Sequence, residues 1–319
     1  MFVLLGGAIF SVVYLTKADR EAKVIVTNFP AYDICRHLMG PDDDNILMLD
    51  NASSDMHSYN PTAGDIAKIS KSELFICIGG TSDDKWLSDI IRSANNTYLK
   101  VLEMIDLEGV NRLEESHENI LENDHEHDHD HDHDHENESE IHEEIYDEHM
   151  WLSIKNMIKV TEQIKEALIL VFPQKQELIK SNSMEYINNL EALDQEYSER
   201  VGSKSETIII ADRFPFRYLV EDYDINYFAL FSGCSTETEA KAETIIKLNN
   251  KITETGTNYI FTLESSNKEI ANNCKTKFSN LEILELNSCQ FIKSAQAKNT
   301  SYYDIMLKNL ENIEKAITL

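Results

Sequence analysis

Short apolar runs of strand length recur along this chain in two sets of four, separated by one long helical segment. That repetition restricts the fold more than any other feature. The first set is "VIVTNF" (24–29), "ILML" (46–49), "LFICIG" (74–79) and "YLKVLEM" (98–104). The second is "TIIIAD" (207–212), "INYFAL" (225–230), "YIFTLE" (259–264) and "LEILELN" (281–287). Each of the first three runs is followed by polar, helix-compatible sequence, the alternation of a parallel sheet with crossover helices. The expected fold class is α/β, with two similar lobes, each a four-stranded mainly parallel sheet with flanking helices. The 319 residues suit two domains at about 150 residues each.

Between the sets, the segment from Pro173 to Gly202 places Leu178, Met184, Ile187, Leu190, Leu193, Tyr197 and Val201 at helical spacing. It reads as one amphipathic helix with a glycine stop. A single helix joining two lobes would restrain their relative motion more than flexible strands would. The expected division is an N-terminal lobe at 24–173, a rigid linker helix at 174–202 and a C-terminal lobe at 205–319. The closing segment "SYYDIMLKNLENIEKAI" puts Met306, Leu310, Ile313 and Ile317 on one face, as a docked terminal helix would.

Charge is unevenly placed. The net charge is −28, yet seventeen acids lie between Glu114 and Glu148 with no Lys or Arg among them; without them the balance is −11. No basic patch appears, which argues against nucleic acid as a partner. Within this stretch, "HEHDHDHDHDH" alternates acids with His125, His127, His129, His131, His133 and His135, and His142 follows. A segment of Asp and His with nothing apolar to bury reads as a solvated loop at about 114–146. The five cysteines are odd in number and contain no CxxC, so neither a disulfide scaffold nor a zinc ribbon is expected, and Cys77 reads as a buried core thiol. The opening run "MFVLLGGAIFSVVYL" matches an export-signal core or a short membrane tether over residues 1–20, or a buried first element. No basic residue precedes it, and no lipid-accepting Cys follows.

In open parallel sheets, ligands bind beyond the carboxyl ends of the strands. There the sequence places His57, in the punctuated turn "DNASSDMHSYNPTAGDI", and His149, in "YDEHMWLSIKNM" just before a helix. In the second half, Asp212 closes the first run, Glu264 the third and Asn287 the last. Imidazole nitrogen with carboxylate oxygen is the donor set of a borderline divalent cation such as zinc. Each residue also has a plainer role: a turn residue for His57, a core or helix-capping histidine for His149, a strand-end cap for Asp212.

Five segments, "NFPAYDICRHLMG", "DMHSYNPTAGDIAKISKSELFICIGG", "DEHMWLS", "ADRFPFRYLVEDYDI" and "SYYDIMLKNLENIEKAI", together resemble the zinc/manganese solute-binding proteins of ABC importers, the ZnuA/TroA type. The resemblance runs in order from about residue 24 to the C-terminus and implies an interlobe metal site in which His57 and His149 are ligands. In that family an acidic, histidine-rich insertion commonly precedes the second histidine. The third ligand falls in "ADRFPFRYL", where an ungapped match puts Arg213, which cannot bind a cation; neighbouring Asp212 is the nearest candidate. At the fourth position the chain has Asn287 where an acid is usual. Glu264, Glu237, Glu239 and Cys289 are further candidates, and "GCSTETE" occupies a loop that approaches the cleft in relatives.

The function so implied is an extracytoplasmic receptor, periplasmic or tethered to the outer face of the cell membrane through its N-terminal segment. It would capture Zn2+, or Mn2+, and deliver it without chemistry to an ABC permease and its ATPase subunit, acting as a monomer, with the histidine tract as a collecting antenna. One alternative is a metal buffer acting through the tract. Another is a zinc hydrolase, against which "HENIL" lacks the second histidine of H-E-x-x-H.

Overall fold

The computed structural model describes residues 22–41, 43–49, 59–116, 119–121, 145–233, 235 and 241–318. The N-terminal run 1–20, His57, the tract histidines from His125 to His142, Glu237 and Glu239 lie outside the described residues.

In chain order, β1 (Val24–Val26), α1 (Phe29–Met39), β2 (Ile46–Met48), α2 (Ala63–Ile69), β3 (Leu74–Cys77), α3 (Thr81–Ala94) and β4 (Lys100–Glu103) come first. Then come α4 (Ile154–Val171) and α5 (Gln176–Arg200). After them come β5 (Ile208–Phe214), α6 (Arg217–Tyr223), β6 (Tyr227–Ser232), α7 (Ala242–Thr255), β7 (Tyr259–Leu263), α8 (Glu269–Lys277), β8 (Glu282–Leu286), α9 (Ser294–Ala297) and α10 (Tyr302–Ile317). The strands form two four-stranded sheets, ordered β2-β1-β3-β4 and β6-β5-β7-β8. Every pairing is parallel, as the sequence alternation predicts.

Contacts divide the chain into two compact units. The first holds the residues up to Glu108, Val160–Ile187 and Ile292–Asn299; the second holds Gly109–Lys159, Asn188–Phe291 and Thr300–Leu319. This interleaved grouping cuts across the sequential lobes expected from the sequence. Residues 109–159 group with the second unit because hydrogen bonds tie them there. The Leu113 amide donates to Tyr218 Oη at 3.1 Å, Trp151 Nε1 to the Ser288 carbonyl at 2.9 Å, and Ser153 Oγ to Asp222 at 2.6 Å.

In the first unit the central strands are buried throughout, with "VIV" in β1 and "LFIC" in β3, whereas edge strand β4 is part-exposed. Apolar runs of this kind suit a parallel sheet covered on both faces. Ile25, Phe75 and Cys77 pack with Trp86, Leu87 and Ile90 of α3, whose spacing follows one helical face. Burying each large side chain contributes about 1.5–3 kcal/mol. The Asn28 side chain caps α1 by accepting the Ala31 amide at 2.8 Å, and Thr62 and Asp65 form a capping box at α2. Gly79 has φ +81°, and a Cβ there would sit 2.9 Å from Glu103 Cβ, so the turn after β3 requires glycine.

A buried carboxylate knits the same unit. Asp33 is fully buried and accepts Arg36 Nη2 at 2.8 Å and Tyr186 Oη at 2.9 Å, while His37 Nδ1 lies 3.4 Å away. Burial pushes the His37 imidazole down, but the hydrogen bond to Asp33 and its negative charge outweigh that and raise its pKa above the ordinary value. A raised histidine pKa gives stability that is complete below the unfolded value of about 6.5 and fades as pH rises through the folded value. His37→Ala is therefore expected to lower the thermal midpoint more at about pH 5.5 than at pH ~9; equal losses at both would show that only the ring contact with Tyr186 matters.

The long helix forms as expected and buries Leu190, Leu193, Tyr197 and Val201 of the expected stripe, but its first half turns other residues inward. Its inward residues are Ile179, Ser183, Tyr186, Leu190, Leu193 and Tyr197, with Val201 just beyond it, whereas Leu178 and Met184 are 45% and 66% exposed. The stripe includes polar groups because their hydrogen bonds are met: Ser183 donates to the Lys180 carbonyl and Tyr186 to Asp33. In α10, Met306, Leu310, Ile313 and Ile317 are all buried, as predicted. The strand expected to end at Asp212 runs on to Phe214, because beyond an irregularity between Ile210 and Arg213 the pairs Arg213–Phe231 and Phe214–Ser232 continue the ladder with β6. Among the described residues, no helix is long and apolar enough to cross a membrane.

Candidate metal centre

Within the second unit, His149 is completely buried. It stands at the start of a 3-10 turn, Met150–Leu152, that leads into α4. Asp147 holds it twice: Oδ1 accepts the His149 amide at 2.8 Å and lies 2.7 Å from Nδ1. A carboxylate at Nδ1 fixes the proton there, so the Nε2 lone pair is the one presented to a cation. Asp147 is itself anchored, since Tyr218 Oη donates to its carbonyl at 2.8 Å and its amide donates to the Leu113 carbonyl at 2.8 Å. The neighbouring turn is pinned too, since the Trp151 carbonyl accepts Tyr302 Oη at 2.7 Å. Rigid support of this kind is what a preorganised ligand needs.

Beside the imidazole is a cavity of about 10 Å³, the size of one water molecule, bordered by Asp147, Phe214, Ser232 and Gly233. A Cβ on Gly233 would come within 3.0 Å of His149 Cε1 and 3.0 Å of the Phe214 carbonyl, so a larger residue here would have to push back the imidazole or the Phe214 backbone.

Asp212 borders another cavity, of about 180 Å³, with Arg213, Ser265, Ser266 and Asn267. Its Oδ1 accepts the Arg213 amide at 2.8 Å and its Oδ2 the Leu263 amide at 3.3 Å, which fixes the carboxylate and leaves each oxygen a lone pair. The Arg213 guanidinium lies over the Phe291 ring at 5.9 Å. Glu264 is engaged by Ser288, whose hydroxyl and amide donate to it at 2.7 and 3.0 Å, while burial pushes its carboxyl above the ordinary value. Asn287 Oδ1 accepts the Cys289 amide at 2.8 Å, and Asn309 brackets the Asn287 backbone.

His149 and Asp212 therefore border separate cavities. Among the described residues, no group of three or more His, Cys, Asp or Glu is placed to hold a metal ion. The sequence reading assigned no role to Asp147 or Gly233. The D-x-H spacing was a signal for the first; for the second, only three-dimensional crowding reveals the need.

Two parallel α/β sheets and a buried, carboxylate-oriented histidine agree with the resemblance to metal-binding solute receptors. The chain belongs to the family described as zinc-uptake complex component A, periplasmic (ZnuA), whose model matches residues 24–316. It is 27% identical over 304 residues to the zinc-binding lipoprotein AdcA of Streptococcus pneumoniae, covering 94% of this chain and 56% of that protein. It is 25% identical over 312 residues to the high-affinity zinc uptake system protein ZnuA of Bacillus subtilis, covering 95% and 91% respectively. The chain thus spans about half the length of the AdcA relatives it matches. The Zn(II)-bound ZnuA-like domain of S. pneumoniae AdcA superposes with a TM-score of 0.71 at 22% identity, covering 94% of this chain and all of that one, and supports the fold.

Proposed function

We propose that this chain is an extracytoplasmic receptor that captures Zn2+ and passes it to an ABC permease driven by its ATPase subunit, with no catalytic step of its own. The observation that carries the reading is His149, buried and held through Nδ1 by Asp147, in a chain whose family match runs from residue 24 to 316. His57 supplies the second imidazole, and Asp212, oriented by two backbone amides, supplies a carboxylate. Asn287 adds a neutral oxygen where an acid would add charge, which favours easier release. Manganese is a weaker competitor, because imidazole donors favour zinc over it.

The histidine tract acts as a collecting antenna. Its imidazoles are nitrogen donors of the kind zinc takes, and its acids raise the local cation concentration. Asn119 and Ile120 join β6, through the Ala229 amide donating to the Asn119 carbonyl at 3.1 Å, so a clean deletion spares them. Replacing residues 122–144 with a short Gly-Ser linker is expected to remove several weak zinc sites and keep one tight site per chain, as read by calorimetric titration. Loss of tight binding with the tract would sink the receptor reading and favour a metal buffer.

A further inference from the structure

A cavity of about 530 Å³ lies wholly within the first unit and shares no residue with the candidate metal centre. The chain steps from β1 out to the edge strand β2 and then back past β1 to β3. Right-handed connections therefore put α1 and α2 on opposite faces of the sheet. The cavity is lined by Tyr32 of α1, by Ala67 of α2 and by Ile46, Leu47 and Met48 of β2 itself, so it follows the open edge of the sheet rather than either face.

That edge carries unmet backbone groups. The Val24 amide donates to the Asn45 carbonyl and the Leu49 amide to the Val26 carbonyl, both at 2.9 Å. With Leu47 paired to Ile25 in parallel register, these bonds turn the backbone of Asn45, Leu47 and Leu49 towards β1. Ile46 and Met48 alternate with them and direct their N–H and C=O groups away from β1. The Ile46 amide reaches the Asp43 carbonyl at 3.5 Å, but the Ile46 carbonyl and both polar groups of the Met48 backbone have no partner among the described residues. Ile46 and Met48 are only 8% and 4% exposed, and a backbone group so shielded from water is costly to leave unpaired. One more strand, ~4.8 Å beyond β2, would satisfy all three groups.

The surroundings say what such a strand would be. Tyr32, Ala67 and Ala295 offer apolar surface on its two sides. Arg36, Lys68, Lys71 and Lys298 line the cavity against Asp43 and Asp44, a positive excess in a chain of net charge −28. Asp33 engages Arg36, and Lys175 engages Asp43, so the lysines set the charge at the mouth. Lys298, exposed at the end of α9, makes no ion pair among the described residues.

We propose that the open edge of β2 binds an extended apolar peptide by strand addition, over a stretch as long as the three residues of β2, with an acidic residue at one end against Lys298. Main-chain hydrogen bonds supply the affinity, and side chains directed alternately towards Tyr32 and Ala67 supply the selectivity. The site uses no candidate metal ligand, so it stands or falls separately from zinc capture.

The test is fluorescence anisotropy of the peptide Val-Ile-Val-Glu, labelled at its N-terminus and titrated with the full chain. Saturable binding with Kd at or below ~100 µM is expected, at least about tenfold weaker for a counterpart N-methylated at every peptide bond and for one ending in Lys. Ala67→Trp, which fills the cavity from an exposed position, should abolish binding. So should Met48→Pro, which removes an outward amide but no bond to β1. Melting curves show whether each variant is folded, and Ala67→Trp decides the matter if Met48→Pro is not. Equal binding of the N-methylated peptide would show that the cavity takes apolar groups without strand pairing and would overturn the proposal, as would the absence of saturable binding. Self-association of the full chain in sedimentation, lost in Ala67→Trp, would make the occupant a second copy and equally overturn it.

Discussion

Replacing His149 with alanine is expected to abolish tight zinc binding in a chain lacking residues 122–144, with no compensating site. The imidazole is wholly buried, its ring held by Asp147, and beyond residue 149 the chain has no other histidine to take its place. Asp147→Asn should leave the ring in place but lose the acceptor that fixes the Nδ1 proton, weakening binding by roughly 10–100-fold, the usual scale for a partner behind a metal ligand. Asp212→Asn should cost at least about tenfold, ~1.4 kcal/mol. Calorimetry on the three variants gives a ranking. If Asp212→Asn matches the parent while Asp147→Asn is weakened, His149 keeps its role and the acid must come from another loop. If His149→Ala binds zinc like the parent, the metal centre is elsewhere altogether.

Zinc should also stabilise the folded protein strongly. A ligand that binds only the native state, present at ~1,000 times its dissociation constant, adds about 4 kcal/mol. For domains of this size each kcal/mol moves the midpoint by roughly 2–4 °C, so a rise of about 8–16 °C is expected. The rise should shrink as the pH approaches about 5, because imidazoles must lose their protons before they ligate. A melting curve that ignored zinc in the full chain at pH ~7 would contradict capture by folded residues.

Much of the architecture is readable in the sequence because parallel strands buried on both faces leave continuous apolar runs. "LFICIG" and "TIIIAD" predict β3 and β5 for that reason, and the four- and three-residue spacing of Met306, Leu310 and Ile313 predicts the terminal helix. Periodicity fails where a polar residue is inward because it is bonded. Ser183 and Tyr186 belong to the buried face of α5, yet the apolar Met184 between them looked the better candidate. Which unit a segment joins depends on contacts far apart in sequence, such as Leu113 with Tyr218, and no local pattern announces them. The site was legible as residue types: His149 lies before a helix as read, but the carboxylate behind it and the crowding at Gly233 follow only from coordinates.

The root of the histidine tract carries a final consequence. The Glu115 amide donates to the Ile145 carbonyl and the Asp147 amide to the Leu113 carbonyl, both at 2.8 Å, so the chain on either side of residues 122–144 is clasped into a short antiparallel stem. By the general scaling of loop closure, doubling the number of residues between two joined ends adds only about 0.6 kcal/mol. The number of histidines between Leu121 and Ile145 is thereby uncoupled from the stability of the unit that carries His149. Mutation can therefore lengthen, shorten or recompose that stretch at little cost to the fold beyond the stem.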